Sequence, residues 1–236
     1  TKLILRVLGG LLLVESFFLL LPIVVALIYG EYDSIKYYLI TIAVAGVFGG
    51  SGLLLGRNAS ADVSKREGAV IVTSVWFLYT LVGALPFTLS GYIPEFTDAF
   101  FETLSGFTTT GTSILNNIES FPNNLLFWRS LTHWVGGLGI MVIFLAILPV
   151  VGGAGYQLFN AEGTTPLREK FSPRTNEMAK ILLVTYFVIT ALCALALYIA
   201  GMNFFDAINH AFSTVATGGF STKQLSIAYY QSPAIE

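Results

Sequence analysis

The residues of this chain best suited to chemistry are two clusters of threonine and glycine, and the chemistry they suit is coordination of a dehydrated cation by oxygen. The first cluster is Thr108, Thr109, Thr110 and Gly111; the second is Ala216, Thr217, Gly218 and Gly219, 108 residues later. Each closes a longer repeated stretch. Residues 96–113 and 204–221 agree at seven of eighteen aligned positions: Phe, Asp, Ala, Ser, Thr, Gly and Ser. Glycine permits positive-φ backbone that turns successive carbonyls toward one axis. Threonine hydroxyls add further oxygen ligands, and rings of such oxygens replace the hydration shell of a monovalent cation. A single Thr-Thr-Thr-Gly is ordinarily a turn. Its recurrence at the matching place of a second unit shifts the reading to a cation pathway, with a monovalent cation held at Thr109, Thr110, Gly111, Thr217, Gly218 and Gly219.

The elements that must position these clusters are short. About ten apolar-leaning residues precede each one, 98–107 and 206–215. That length is too short to cross a bilayer and suits a re-entrant half-helix whose carbonyl end points into the membrane. Irregular backbone at that depth is tolerated only where protein buries it or water lines it. Asp98 and Asp206 stand at the expected half-helix N-termini, where a carboxylate caps free amides and complements the helix dipole. Direct attraction of cations is the alternative role for them.

The rest of the chain agrees with a membrane setting. It is 55% hydrophobic and only 11% charged, too little charge to cover a soluble domain of this size. A net charge of −2 gives no support for a nucleic-acid partner, and the single cysteine, Cys193, has no internal disulfide partner. Five segments are long and apolar enough to span: residues 3–29, 37–55, 68–89, 125–150 and 178–200. Lys2, Arg6, Arg57, Lys65, Arg66, Arg168, Lys170, Arg174 and Lys180 fall on one side of these spans, and only Lys36, Arg129 and Lys223 on the other. The positive-inside rule then puts the N-terminus in the cytoplasm. Three spans precede the first cluster and five the second, so both enter from outside.

Other polar residues have plainer readings. His133 and Trp134 open the fourth span and read as a headgroup-level pair. The glycines beside them, and Gly46, Gly50, Gly52 and Gly56, read as sites of close helix approach rather than a phosphate loop. Glu15 is the one acidic residue deep in a span, and a structural partner such as a hydroxyl or arginine is expected, with proton coupling the alternative. Arg129 either snorkels to the interface or pairs with a half-helix carboxylate. Glu102 and His210 occupy aligned positions, where packing or a polar contact behind the cluster is expected. Asn58 and Ser60 match a glycosylation acceptor that the topology leaves on the cytoplasmic side. No zinc spacing, nucleophile elbow, Walker loop or catalytic carboxylate pair occurs, so an enzyme is not expected.

Several stretches resemble the Trk/Ktr/HKT superfamily of potassium transporters, and within it the bacterial Trk membrane subunits. They are Phe100 to Gly111, Trp134 to Ile140 with Ile147-Leu148-Pro149 behind it, Phe212 to Ser221, and Gln157 to Glu162 followed by Pro173-Arg174. The resemblance implies an all-α integral membrane fold, with repeated helix–re-entrant pore loop–helix units around a pore and two extra N-terminal helices. Its domains would be 1–60, the extra helices; 61–155, the first repeat; 156–176, a cytoplasmic connection; and 177–236, an incomplete second repeat. The family's filter glycine maps onto Gly111 and Gly219, and one such glycine per strand implies weak selectivity, with Rb⁺ and some Na⁺ admitted. K⁺ is the implied cargo, with no covalent cofactor. The implied partners are membrane lipid, a second copy in a homodimer, and a cytosolic nucleotide-binding regulatory subunit of the TrkA-like kind. The expected location is the bacterial inner membrane. The family's four-repeat ring leads us to expect a longer native protein. The competing reading is a cation-coupled secondary symporter with a midplane site, which calls for inverted repeats, whereas these two are parallel.

Overall fold

The computed structural model describes residues 2–57, 65–139 and 172–235. Among them all regular secondary structure is helical. We label the helices α1 (Lys2–Phe18), α2 (Leu20–Tyr29), α3 (Ile35–Leu55), α4 (Lys65–Gly83), α5 (Leu85–Leu89), α6 (Phe96–Phe107), α7 (123–139), α8 (Ser172–Ile199) and α9 (Phe204–Val215). Four stretches are long and apolar enough to cross a membrane: Lys2–Tyr29, Tyr32–Leu55, Val70–Leu89 and Lys180–Ile199. The expected span over 125–150 is described only to residue 139. The expected connection over 156–176 is described only from residue 172, where α8 has already begun, and the acceptor at Asn58 lies outside the described residues.

Two of the spans are broken, each just upstream of a proline. Helix α1 gives way to α2 at Leu19, three residues before Pro22, and α4 gives way to α5 at Ala84, two residues before Pro86. A proline ring removes one backbone donor and crowds the carbonyl four residues earlier, which interrupts the ladder at those points.

Helix α1 lies along α3 and also packs on α4; α4 packs on α6, and α8 on α9. The core is drawn from all of these, with Leu12, Tyr38, Tyr79, Phe87, Phe107, Trp128 and Trp134 buried at its centre. Large apolar side chains on the outer faces stay exposed, among them Phe17, Ile28, Val47, Leu54 and Ile199. An apolar exterior of that extent is stable in hydrocarbon rather than water.

The close approach of α1 and α3 depends on glycine, though not on every glycine the sequence suggests. A Cβ on Gly52 would lie 2.7 Å from the Leu5 carbonyl oxygen, and one on Gly56 2.6 Å from that of Lys2. Gly9 and Gly49 face each other in the same seam. Gly46 and Gly50, by contrast, face open space. The expected Gly46/Gly50 contact is therefore corrected to a seam of Gly49, Gly52 and Gly56 against the α1 stretch from Lys2 to Gly9, because the helix turn carries residues 46 and 50 away from α1.

Gly52→Val should lower the stability of the purified protein by about 1–3 kcal/mol, since backbone cannot retreat as a side chain does. Gly50→Ala should not lower it. Thermal unfolding in detergent measures both, and equal effects at the two positions would contradict the seam.

Candidate functional site

The two Thr/Gly clusters follow α6 and α9, each a helix of 12 residues. Their exits are built alike. Thr109 N–H donates to the Gly106 carbonyl at 3.0 Å and Thr110 N–H to that of Ser105 at 2.9 Å. In the second copy Thr217 N–H donates to Thr214 at 2.9 Å and Gly218 N–H to Ser213 at 2.8 Å. This paired pattern is a Schellman close, which needs a left-handed residue just past the helix. Threonine fills that place in both copies, with φ 54° at Thr109 and 58° at Thr217. A β-branched residue there is strained, and such strain collects at functional sites. Two residues on, Gly111 and Gly219 are left-handed too, at 77° and 90°.

The two loops touch. A Cβ on Gly111 would fall deep inside the Gly218 carbonyl group. The eight candidate residues are thus gathered on two successive carbonyl-bearing segments in direct contact at Gly111 and Gly218.

The ends of α6 and α9 correct one expectation. Neither Asp98 nor Asp206 caps its helix: the N-cap positions belong to Glu95 and Asn203. Asp98 lies exposed in the first turn, where it complements the dipole but has no capping bond. Asn203 is the cap, its Oδ1 accepting from Asp206 N–H at 2.8 Å. Asp206 instead holds the chain beyond the second loop. Its carboxylate accepts from Thr222 Oγ1 at 2.5 Å, Tyr230 at 2.7 Å and Asn203 Nδ2 at 2.7 Å, with Lys223 Nζ 3.7 Å away. Burial pushes this carboxyl up, but those hydrogen bonds and the Lys223 charge outweigh it and hold it below its ordinary value.

Behind the loops the aligned residues Glu102 and His210 hold aligned hydroxyls. Glu102 accepts from Ser113 Oγ at 2.9 Å and from Ile114 N–H at 3.0 Å. His210 Nδ1 donates to the Asp206 carbonyl at 2.8 Å, leaving Nε2 to accept from Ser221 Oγ at 2.9 Å. Arg129 on α7 ties the two copies together. Its Nε donates to Glu102 at 2.6 Å and its Nη1 to the Ser221 carbonyl at 2.9 Å, with both ionic side chains at most 2% exposed. Of the two roles open to Arg129, pairing is the one adopted. Snorkelling is ruled out by burial.

Helix α7 passes directly under the first loop. Phe107 backbone occupies the space a Cβ on Gly136 would need, and the Tyr186 hydroxyl does the same at Gly137. His133 and Trp134 do not face lipid headgroups: they are 0% and 4% exposed, drawn inside because α7 is enclosed by α6, α8 and the second loop. Trp134 Nε1 donates to Thr190 Oγ1 at 3.0 Å. Glu15 is buried, yet its carboxylate oxygens have no hydrogen-bond partner among the described residues, contrary to the expected hydroxyl or arginine.

Sequence reasoning missed Glu31. Its carboxylate accepts from Asn123 N–H at 2.8 Å and Asn124 N–H at 3.0 Å, capping α7 from 92 residues away. The run Pro122-Asn123-Asn124 marks a helix start in sequence, but a cap supplied by another element leaves no local signal.

Two predictions test this framework. Arg129→Met strands a buried carboxylate and should cost about 3–5 kcal/mol, much of it recovered when Glu102→Gln is added; a double-mutant cycle on thermal unfolding that gives purely additive effects would contradict the pairing. Because the Asp206 carboxyl is held low, its contribution is present above the ordinary carboxylate value and lost as pH falls through the lowered one. Acid titration of stability should therefore be flatter in Asp206→Asn than in the parent.

Comparison with known proteins adds independent findings. Residues 34–236 match the sequence model of the TrkH family, described as cation transport protein. The chain is 43% identical over 233 residues to the Trk system potassium uptake protein TrkH of Escherichia coli (strain K12), covering 98% of this chain and 48% of that protein. It is 40% identical over 240 residues to the TrkH of Halomonas elongata, covering 100% and 49% respectively. Among solved structures, the crystal structure of the potassium transporter TrkH from Vibrio parahaemolyticus superposes with a TM-score of 0.84 at 37% identity, over 99% of this chain and 47% of that one. The chain spans about half the length of the curated relatives it matches.

Proposed function

This chain belongs to the TrkH family of cation transport proteins, and from that premise we propose that it forms part of a potassium uptake pathway across the bacterial inner membrane. Residues 108–111 and 216–219 are two strands of its selectivity filter. The observation that carries this reading is the contact of two backbone-equivalent loops at Gly111 and Gly218, each with left-handed residues at the same two positions. Alternating left-handed residues turn neighbouring carbonyls toward a common side, which is what a dehydrated K⁺ requires. Helices α6 and α9 act as re-entrant pore helices, entering from the outer face, and the N-terminus lies in the cytoplasm.

Division into extra helices (1–60), a first repeat (61–155), a cytoplasmic connection (156–176) and part of a second repeat (177–236) goes with this proposal. So do a homodimeric assembly and gating by a cytosolic nucleotide-binding subunit. Inward movement follows the membrane potential, worth about 2.3 kcal/mol per charge per 100 mV.

Gly111→Ser is the direct test, in cells that lack other K⁺ uptake. The new side chain meets the Gly218 carbonyl and imposes a left-handed conformation on serine. Rb⁺ uptake should be lost, or Na⁺ entry should rise against it. Unchanged Rb⁺ and Na⁺ fluxes, with the variant at normal membrane levels, would refute the filter assignment.

A further inference from the structure

The two loops share a backbone but not a means of support. In the first, Thr108 Oγ1 and Thr110 Oγ1 lie 2.8 Å apart, a hydroxyl pair that clasps the loop onto itself, while Thr108 also donates to the Leu104 carbonyl at 2.7 Å. The aligned residues of the second loop are Ala216 and Gly218, which have no hydroxyls at all. Left-handed backbone does not explain the glycine: Gly218 is not among the positive-φ residues, whereas its neighbour Gly219 is. What Gly218 lacks is room. The imidazole ring of His133 occupies the place of its Cβ, with Nδ1, Cε1 and Cγ all inside contact distance of that position.

His133 is itself held in place from behind. Its ring stacks on Phe220 at 3.9 Å between centroids and 14° between planes. The Arg129 guanidinium lies 3.6 Å from the centroid of the same Phe220 ring, and Arg129 is fixed by Glu102 and the Ser221 carbonyl. No side chain among the described residues bonds a ring nitrogen of His133; the stack on Phe220 and the nearby Ser105 backbone set its position. Forward of the ring, the Gly218 carbonyl fills the Cβ position of Gly111. A continuous solid path thus runs from Arg129 through Phe220 and His133 to the contact between the loops.

We propose that His133 is a specificity-determining positioning residue: its ring is the spacer that fixes how far the second loop stands from the first, in place of the hydroxyl pair that braces the first loop. The inference rests on the filter reading above. Filters discriminate by the distance and number of their oxygens. Loss of the spacer therefore lets the Gly218 segment retreat and relaxes selectivity before it abolishes transport.

The test uses the full-length protein in cells lacking other K⁺ uptake, with membrane levels checked by immunoblot and Rb⁺ and Na⁺ influx measured together. His133→Ala should lower the Rb⁺/Na⁺ influx ratio several-fold. Gly218→Ala alone should lose most Rb⁺ uptake, because its methyl meets the ring, and adding His133→Ala should restore a substantial part. That suppression would not follow from a general loss of folding. Should His133→Ala fail to reach the membrane, His133→Asn, smaller and polar, is read for the same fall in ratio. A parental ratio in the histidine variant that reaches the membrane, or a double variant no better than Gly218→Ala, overturns the proposal. If Gly111→Ser alters selectivity while His133 variants do not, only this inference fails; if Gly111→Ser also changes nothing, the filter reading itself fails.

Discussion

The structure turns on one buried cation. Arg129 is placed on α7 with almost no exposure and reaches both Glu102 behind the first loop and the Ser221 carbonyl behind the second. A buried guanidinium is tolerated only with a counter-charge and filled donors. The surrounding chain therefore has to bring α6, α7 and the segment after α9 to one point. Glu102 accepts from Arg129 and also from Ser113 and Ile114, so the same carboxylate shapes the first loop and neutralises the charge. The scaffolding helices serve this convergence. Glu31 caps α7 from the α2–α3 connection, Trp128 Nε1 donates to the Gly83 carbonyl at 2.9 Å, and the glycine seam lets α1 lie close to α3.

Around that tie the molecule solves one geometric problem twice with different chemistry. The paired close from helix to loop is the same in both copies, down to the left-handed threonine. The side chains behind it are not. A carboxylate in one copy and an imidazole in the other hold the matching serine hydroxyl. A threonine pair in one copy is answered by a histidine–phenylalanine stack in the other. Backbone geometry is what the two copies have in common, which is the expected outcome if carbonyls, rather than side chains, meet the ion.

Much of this was legible beforehand, and the failures are instructive. The positions of the two loops followed from repetition, and the helices before them from length and apolar character. The four described spans fall close to where hydropathy placed them, because burial in lipid is a bulk property that a run of side chains reports by itself. The misreadings concern residues with two physically acceptable fates. Asp98 and Asp206 were both compatible with capping, but Asn203, three residues earlier, takes that role for α9 and frees Asp206 to bind Thr222 and Tyr230. His133 beside Trp134 fits a membrane interface as well as a core. Gly46 and Gly50 have the right spacing for helix contact and lie on the wrong face.

What the sequence determined by itself is whatever depends on neighbours along the chain: the membrane-spanning character, the repeat, and a close from helix to loop made within six residues. Tertiary structure alone decided which distant groups share a point. Arg129 meets Ser221 across 92 residues and Glu31 meets Asn124 across 93, and no local pattern encodes either pairing. The same holds for space. Gly111 and Gly219 are readable as glycines that a turn requires, whereas the need for glycine at 218 appears only once the ring of His133 is seen to fill the place of its side chain.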